Sequence, residues 1–249
     1  MEAVFGLMVV VLLGLSRGIE TYCDGRQDGA QCYGALGGTL VLQLMNDAAE
    51  INKFHWKINR STLLGWSSNN STIFLAEENK LFLTPSNGTL RMNNLNSNDG
   101  GEYMLIIFDR NGEISAMQTL HLFIQAPVSS VLLDSECLFE GEMRVSCSSE
   151  GGDSPQYSWT LDGRTLTDAE LLSGNNETNI ITLKQHVSGH LVCSVRNKVS
   201  HVSSSKRLCT CGFIFINCTL SDGTHISKCV FEANNTLCIE PTTPITMGK

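Results

Sequence analysis

The residues best suited to chemistry in this chain are its ten cysteines and six histidines. Thiolates and imidazoles can bind zinc, and a paired cysteine and histidine can form a nucleophile, whereas cysteines in an oxidising compartment join as disulfides. Cys209, Cys211 and Cys218 approach a zinc pattern, but no C-x-x-C pair or His-x-x-x-His partner accompanies them. We therefore predict a disulfide framework and no metal site.

The sequence carries no recognisable catalytic motif. The histidines are scattered, and there is no G-x-S-x-G, H-E-x-x-H or phosphate-binding glycine loop. The adjacent acids Glu77 and Glu78 lie in a polar stretch and are expected to form a solvated surface. A formal net charge of −8 without a Lys/Arg cluster argues against nucleic acid as a partner. We predict no enzyme activity, no cofactor and no small-molecule substrate.

A predicted signal peptide and several N-glycosylation sequons indicate a secreted or extracellular protein. Val4–Leu15 is an apolar run too short to span a membrane, and residues 1–18 are predicted to be a signal peptide. N-x-[S/T] sequons follow it, and of the adjacent pair Asn69 and Asn70 we expect only one to be modified. The density of sequons is typical of an extracellular glycoprotein. The predicted glycosylation sites are Asn59, Asn70, Asn87, Asn176, Asn217 and Asn234.

The elements that must position these residues are short β-strands. Apolar and β-branched runs alternate with Gly, Asn, Asp and Ser, and no stretch keeps a helical apolar period. A chain of 249 residues is long enough for two domains. We predict a first sandwich at 19–125, a stiff Ala126-Pro127-Val128 junction and a second sandwich at 128–210.

The strongest motif is Cys147, Trp159 and Cys193 in the second unit. This spacing is typical of an immunoglobulin-like core, in which two cysteines bridge the sheets beside a packed indole. In the first unit, Trp56 follows Leu44 at the same spacing of twelve residues, and Leu105 ends the motif D-G-G-E-Y-M-L. The first unit is therefore predicted to fold in the same way with leucines in place of the bridge.

The remaining cysteines flank these cores. Cys23 and Cys32 are close together and are predicted to pair. Cys137 precedes the second unit, and either Cys209 or Cys211 could join it. The others lie in a small cysteine-rich segment, 211–249, whose pairing the sequence does not determine. These are Cys218, Cys229 and Cys238.

The two predicted sandwiches resemble the ectodomain of the signalling-lymphocyte-activation (SLAM) family, which is grouped with the T-lymphocyte rosette receptor. The similar stretches are YGALGGTLVLQL, SNGTLRMNNLNSNDGGEYML, FDRNGE, LHLFIQAPVS and CSVRNKVSHVSS. The resemblance covers roughly residues 22–210. It implies a variable-type domain that lacks the intersheet disulfide, followed by a constant-type domain with Cys147–Cys193 and Cys137–Cys209 bridges.

The resemblance also implies a function and a surface. Members of this family bind a related receptor, or themselves, between apposed immune cells through the GFCC′ face of the first domain. Strand alternation then selects the residues on that face, with an exposed apolar stripe unless Leu64 and Trp66 cover it. The predicted partner-binding residues are His55, Lys57, Met104, Ile106, Phe108, Met117 and Thr119.

Two function classes follow. The first is a cell-surface adhesion or co-stimulatory receptor whose anchor is not part of this chain. The second is a secreted decoy or regulatory isoform, because the Pro/Thr-rich end after Cys238 has no run of about 20 apolar residues.

Overall fold

The computed structural model describes residues 18–48, 50–68, 72–77, 79–234 and 237–238. The predicted signal peptide lies outside the described residues except for Gly18, and Asn70 and the tail from residue 239 lie outside them as well. Two compact units divide the chain, one ending at Gln125 and the other beginning at Ala126. Both consist of β-strands joined by turns, which confirms the predicted all-β fold class with tandem immunoglobulin-like sandwiches.

The first unit is a two-layered sandwich. The strands are β1 (Glu20–Asp24), β2 (Ala30–Ala35), β3 (Thr39–Gln43), β4 (Lys53–Ile58), β5 (Ser61–Ser67), β6 (Thr72–Leu75), β7 (Leu81–Thr84), β8 (Thr89–Met92), β9 (Gly101–Phe108) and β10 (Ile114–Gln125). Short 3-10 turns lie at Pro85–Asn87 and Ser97–Asp99. One sheet has the strand order β1-β3-β8-β7 and the other β2-β10-β9-β4-β5-β6, which includes the extra C′ and C″ strands of a variable-type domain.

The core of the first unit forms where alternate side chains of both sheets meet. Leu44, Trp56 and Leu105 are each 1% exposed and belong to one buried cluster, as the sequence predicted. The indole of Trp56 stacks on the ring of Tyr103, with 5.1 Å between ring centroids. Apolar packing thus fills the intersheet space that a disulfide occupies in the second unit.

The D-G-G-E-Y motif forms a tyrosine corner at the start of β9. The Tyr103 hydroxyl donates a hydrogen bond to the backbone oxygen of Asp99 at 2.7 Å. The Asp99 carboxylate is paired with Lys80 and accepts the backbone N–H of Asn96. Burial, followed by the charges of Asp99 and Glu77, raises the pKa of Tyr103, so the hydroxyl remains a neutral donor.

Replacing Tyr103 with phenylalanine is expected to lower the free energy of unfolding of the first unit by about 1–2 kcal/mol, because the Asp99 carbonyl loses its donor. Chemical denaturation of the full chain, followed by domain-resolved hydrogen exchange, measures the loss. Tyr22→Phe is the matched control, since Tyr22 is 64% exposed. Equal stability of the two variants would contradict a stabilising corner.

The N-terminal strands of the first unit connect its two sheets. β1 runs parallel to β3, whereas β2 runs parallel to β10 in the other sheet. The predicted Cys23–Cys32 disulfide is present and joins β1 to β2. The first unit therefore has a covalent link between its sheets at their edge, although no disulfide joins them at the positions of Leu44 and Leu105.

The second unit is a smaller sandwich followed by a hairpin. The strands are β11 (Ser129–Cys137), β12 (Met143–Gly151), β13 (Gln156–Leu161), β14 (Arg164–Thr165), β15 (Leu171–Ser173), β16 (Ile180–Leu183), β17 (Gly189–Arg196), β18 (His201–Leu208), β19 (Phe213–Thr219) and β20 (His225–Phe231). Short 3-10 turns lie at Phe139–Gly141 and Glu232–Asn234. The sheets of the sandwich have the strand orders β11-β12-β16-β15 and β14-β13-β17-β18, and β19 and β20 form the hairpin.

The core of the second unit contains the predicted bridge. Cys147 on β12 is bonded to Cys193 on β17, and Trp159 lies opposite Cys193 on the neighbouring strand. The Trp159 indole N–H donates to the backbone oxygen of Thr178 at 2.7 Å. Leu191 is fully buried at the position where a tyrosine corner would begin. Trp159 and Leu191 belong with the two bridged cysteines to one continuous apolar cluster.

The Cys137–Cys209 disulfide that the resemblance implied is wrong, and the alternative that the residues left open is present. Cys137 is bonded to Cys211 rather than to Cys209, and Cys209 is bonded to Cys229 on β20. The backbone turns after β18, and Cys211 Sγ lies 3.4 Å from the Glu142 carbonyl oxygen beside the β11–β12 turn. Cys209 instead faces the hairpin. The fifth bridge, between Cys218 and Cys238, completes a set that uses every cysteine.

A polar network anchors the start of the second unit. The Asn197 side-chain amide donates to the backbone oxygens of Ala126 and Asp153, at 2.8 and 3.0 Å. Its oxygen accepts the backbone N–H groups of Val199 and Ser200 and the Ser200 hydroxyl. One side chain therefore holds three segments of backbone together.

Candidate functional site

The GFCC′ face is the outward surface of β10, β9, β4 and β5 in the first unit. Phe54, Trp56 and Leu105 point into the core, so the alternate residues of β4 and β9 point outward. Cross-strand pairing arranges these outward residues in three rows. The rows are Lys53 with Phe108, His55 with Ile106 and Met117, and Lys57 with Met104 and Thr119.

Ile106 differs from the prediction of an exposed apolar stripe. It lies on the GFCC′ face but is only 8% exposed. His55 and Met117 stand directly opposite it on the two neighbouring strands and cover its side chain. Ile106 therefore forms the floor of the face, and the stripe is interrupted at its centre.

Leu64 and Trp66, the residues that could have covered this face, do not lie on it. Leu64 and Trp66 of β5 are buried in the core cluster, because β5 presents them to the inside of the sandwich. On the outward side β5 has Gly65 opposite His55. A Cβ at Gly65 would lie 3.7 Å from His55 and 3.7 Å from Phe74. The glycine leaves a shallow depression in the face beside His55.

Phe108 is held in place by two neighbours on β4. The His55 imidazole meets its ring edge-on, with 5.1 Å between centroids, and Lys53 Nζ lies 5.1 Å from the ring centroid. The cation–π contact orients the ring and leaves Phe108 half-buried. Lys53 is the residue that the sequence analysis missed. Its position two residues before His55 on the same strand was the available signal.

The charge of the face is positive on β4. Partial burial, followed by the charges of Lys53 and Lys57, lowers the pKa of His55, so the imidazole is neutral at pH 7. Neither lysine has an ion-pair partner within the part of the chain that the structure describes. Two unpaired ammonium groups thus lie on either side of a neutral histidine.

The two predicted residues of β10 differ: the Met117 side chain is open to solvent, and the Thr119 side chain is hydrogen-bonded within the unit. Met117 is 49% exposed. Thr119 donates its hydroxyl and its backbone N–H to Asp28 Oδ1, both at 2.8 Å, and these two bonds lower the pKa of Asp28. Thr119 therefore positions the β1–β2 turn, and Met117 is the apolar side chain most open to a partner among the predicted residues.

The predicted glycosylation sites differ in their surroundings. Asn59 is exposed in the β4–β5 turn, and Asn87 is exposed with its side-chain oxygen bonded to Thr89. Asn176 is half-buried, and its oxygen accepts the backbone N–H of Trp159 at 2.9 Å. Asn217 is exposed on β19. The side chains of Asn70 and Asn234 lie outside the described residues, and occupancy at every site remains a prediction.

The fold is similar to that of solved receptor ectodomains. The CD2-binding domain of CD58 superposes with a TM-score of 0.55 at 18% identity, over 73% of this chain and 98% of that chain. Murine CEACAM1b superposes with a TM-score of 0.54, also at 18% identity, over 73% and 98% of the two chains. At this identity the likeness describes the tandem immunoglobulin fold.

Sequence relatives supply the class of protein. HEPACAM family member 2 from Homo sapiens is 28% identical over 151 residues, or 57% of this chain and 33% of that protein. Hepatic and glial cell adhesion molecule from Mus musculus is 30% identical over 125 residues, or 47% and 30%. No protein-family model matches the chain. Fold and relatives define an immunoglobulin-superfamily protein with relatives among cell adhesion molecules, and the chain spans about a third of the length of these two relatives.

Proposed function

We propose that the GFCC′ face of the first unit binds a related immunoglobulin-superfamily receptor on an apposed cell, in immune-cell adhesion or co-stimulation. The observation that carries the proposal is the combination of an open apolar side chain, Met117, with the cations Lys53 and Lys57, which have no ion-pair partner among the described residues, on one face of a sheet. SLAM-type membership and a cell-surface location are parts of the same proposal. Five disulfides support an extracellular location.

The charge of the face indicates the chemistry of the partner. Lys53 and Lys57 would meet carboxylates on the opposing surface, because an unpaired cation buried at an interface is costly. The neutral His55 lies between them and the half-buried Phe108 lies beside Lys53, and both can be covered without a further charge cost. Contacts of this kind are individually weak, and many copies between two membranes strengthen them through avidity.

Two substitutions test the face. Met117→Asp places a charge at the apolar centre, and Lys57→Glu reverses a cation. Each is expected to reduce binding of the full chain to leukocytes about tenfold or more, since loss of a central contact costs about 2 kcal/mol. Binding is measured with protein-coated beads and with an array of immunoglobulin-superfamily ectodomains.

Phe82→Asp is the matched control. Phe82 is 46% exposed on β7, in the opposite sheet, so the change introduces the same charge at similar exposure. Surface substitutions of this kind alter stability by about 0.5 kcal/mol or less, and all three variants are expected to fold. Binding that falls with Phe82→Asp and persists with Met117→Asp and Lys57→Glu would assign the contact to the opposite sheet.

A membrane anchor is a separate question from the binding face. In the portion of the chain that is described, no helix is long and apolar enough to cross a bilayer. The proposed receptor function requires an attachment to the cell, and the binding test above applies to a free or an attached form alike.

A further inference from the structure

The sequon at Asn217 lies in an unusual setting on the β19–β20 hairpin. Ile216 is buried, so strand alternation places Phe215, Asn217 and Thr219 together on the other face of β19. Opposite Asn217 on β20 is Ser227, a small residue. The Asn217 amide is exposed and has a flat aromatic ring two residues before it on the same surface.

An open cavity lies on this face between the hairpin and the sandwich of the second unit. Its volume is about 280 Å³, and it includes both Phe215 and Ser227, the neighbours of Asn217 on the two strands. The space is large enough for one sugar ring. The lining residues are Ser188, Gly189, Arg207, Leu208, Phe215, Ser227, Lys228 and Cys229.

The Phe215 ring is fixed in orientation from the sandwich side. The Arg207 guanidinium carbon lies 5.6 Å from the ring centroid, and the Cys209–Cys229 bridge joins the end of β18 to β20. These contacts hold a rigid aromatic surface and a hydrogen-bond donor at the edge of the cavity. Aliphatic C–H groups of a sugar pack well on such a ring. The hydroxyl and acetamide oxygens of the sugar can accept hydrogen bonds from Arg207.

We propose that Asn217 carries an N-linked glycan whose first N-acetylglucosamine fills this cavity and packs on Phe215. In the modification, Asn217 Nδ2 forms a bond to C1 of the sugar and loses one proton to solvent. The C1–oxygen bond to a lipid pyrophosphate donor breaks, and the lipid pyrophosphate leaves. The sugar then connects the hairpin to the sandwich as a structural element of the second unit.

The sequon at Asn59 provides the contrast. It lies exposed in the β4–β5 turn of the first unit, and the residue two positions before it is Lys57 rather than an aromatic residue. A glycan at Asn59 is therefore expected to extend into solvent without stabilising its domain. Asn59→Gln serves as the matched control for Asn217→Gln.

The test uses the full chain secreted from cells that add high-mannose glycans. Asn217→Gln, and separately Thr219→Ala, are expected to lower the Tm of the second unit by about 4 °C or more. Endoglycosidase H leaves one N-acetylglucosamine on the asparagine, and the trimmed protein is expected to keep the original Tm. Asn59→Gln is expected to leave the Tm of the first unit unchanged.

A double-mutant cycle isolates the packing contact. Phe215→Ala is expected to lower the Tm of the glycosylated protein by more than it lowers that of Asn217→Gln, because the loss of the Arg207 contact is common to both and the sugar that packs on the ring is already absent in the second. Peptide mass spectrometry measures occupancy at Asn217. An unmodified Asn217, additive effects in the cycle, or a Tm that falls on trimming to one sugar would each overturn the proposal.

Discussion

Leu105→Ala is expected to lower the free energy of unfolding of the first unit by about 2–5 kcal/mol, the range for removing a large aliphatic side chain from a packed core. Leu105 is 1% exposed and occupies the intersheet position beside Trp56 and Leu44. No disulfide joins the sheets at this position, and the Cys23–Cys32 bridge restrains them only at their edge. Denaturant unfolding with hydrogen exchange resolved to β4 and β9 measures the effect.

Leu36→Ala is the matched control for this prediction. Leu36 belongs to the same unit and undergoes the same change of side chain, but it is 47% exposed in the turn after β2. Its removal is expected to change stability by about 0.5 kcal/mol or less. A similar loss for both leucines would mean that the effect arises in the unfolded state rather than from the core between the sheets.

Asn197→Ala is expected to destabilise the second unit by about 2–4 kcal/mol. The substitution removes five hydrogen bonds at once and leaves the N–H groups of Val199 and Ser200 without their acceptor. The loss should appear in thermal unfolding of the second unit. It should also appear as faster hydrogen exchange at Val199 and Ser200.

Two further variants separate the parts of this network. Asn197→Asp keeps the three acceptor contacts and replaces the donor with an oxygen that faces two backbone carbonyls, so its loss should be at least as large as that of alanine. Asn179→Ala removes an exposed asparagine side chain from the same unit and should be neutral. A neutral Asn197→Asp would show that the bonds to Ala126 and Asp153 contribute nothing.

Much of the architecture could be predicted from spacing alone. The twelve residues from Cys147 to Trp159 cover the second half of β12, a turn and the first half of β13, and Leu44 and Trp56 have the same spacing without the thiol. The D-G-G-E-Y motif likewise requires a 3-10 turn that places Tyr103 beneath Asp99. These features depend on local geometry, which residue spacing records directly.

Other features depend on contacts between distant segments. Strand alternation predicts only that the Ile106 side chain points outward. How much of it is exposed depends on the size of His55 and Met117 on the neighbouring strands. The choice between Cys209 and Cys211 depends on where the chain turns after β18. The sequence does not predict the parallel pairing of β1 with β3, because a five-residue strand has no pattern that specifies its neighbour.

The interleaved disulfides make the second unit resistant to division by a protease. Cys137–Cys211 spans the sandwich, Cys209–Cys229 begins inside that span and ends beyond it, and Cys218–Cys238 overlaps the second bridge in turn. A single peptide cleavage anywhere between Cys137 and Cys238 therefore leaves its two fragments covalently joined.

One cleavage can separate the two units only between Cys32 and Cys137, a stretch that no bridge spans. That stretch contains the whole GFCC′ face and the junction. A single cut at the junction would thus remove the proposed binding surface while the second unit, with its hairpin, stayed in one covalent piece.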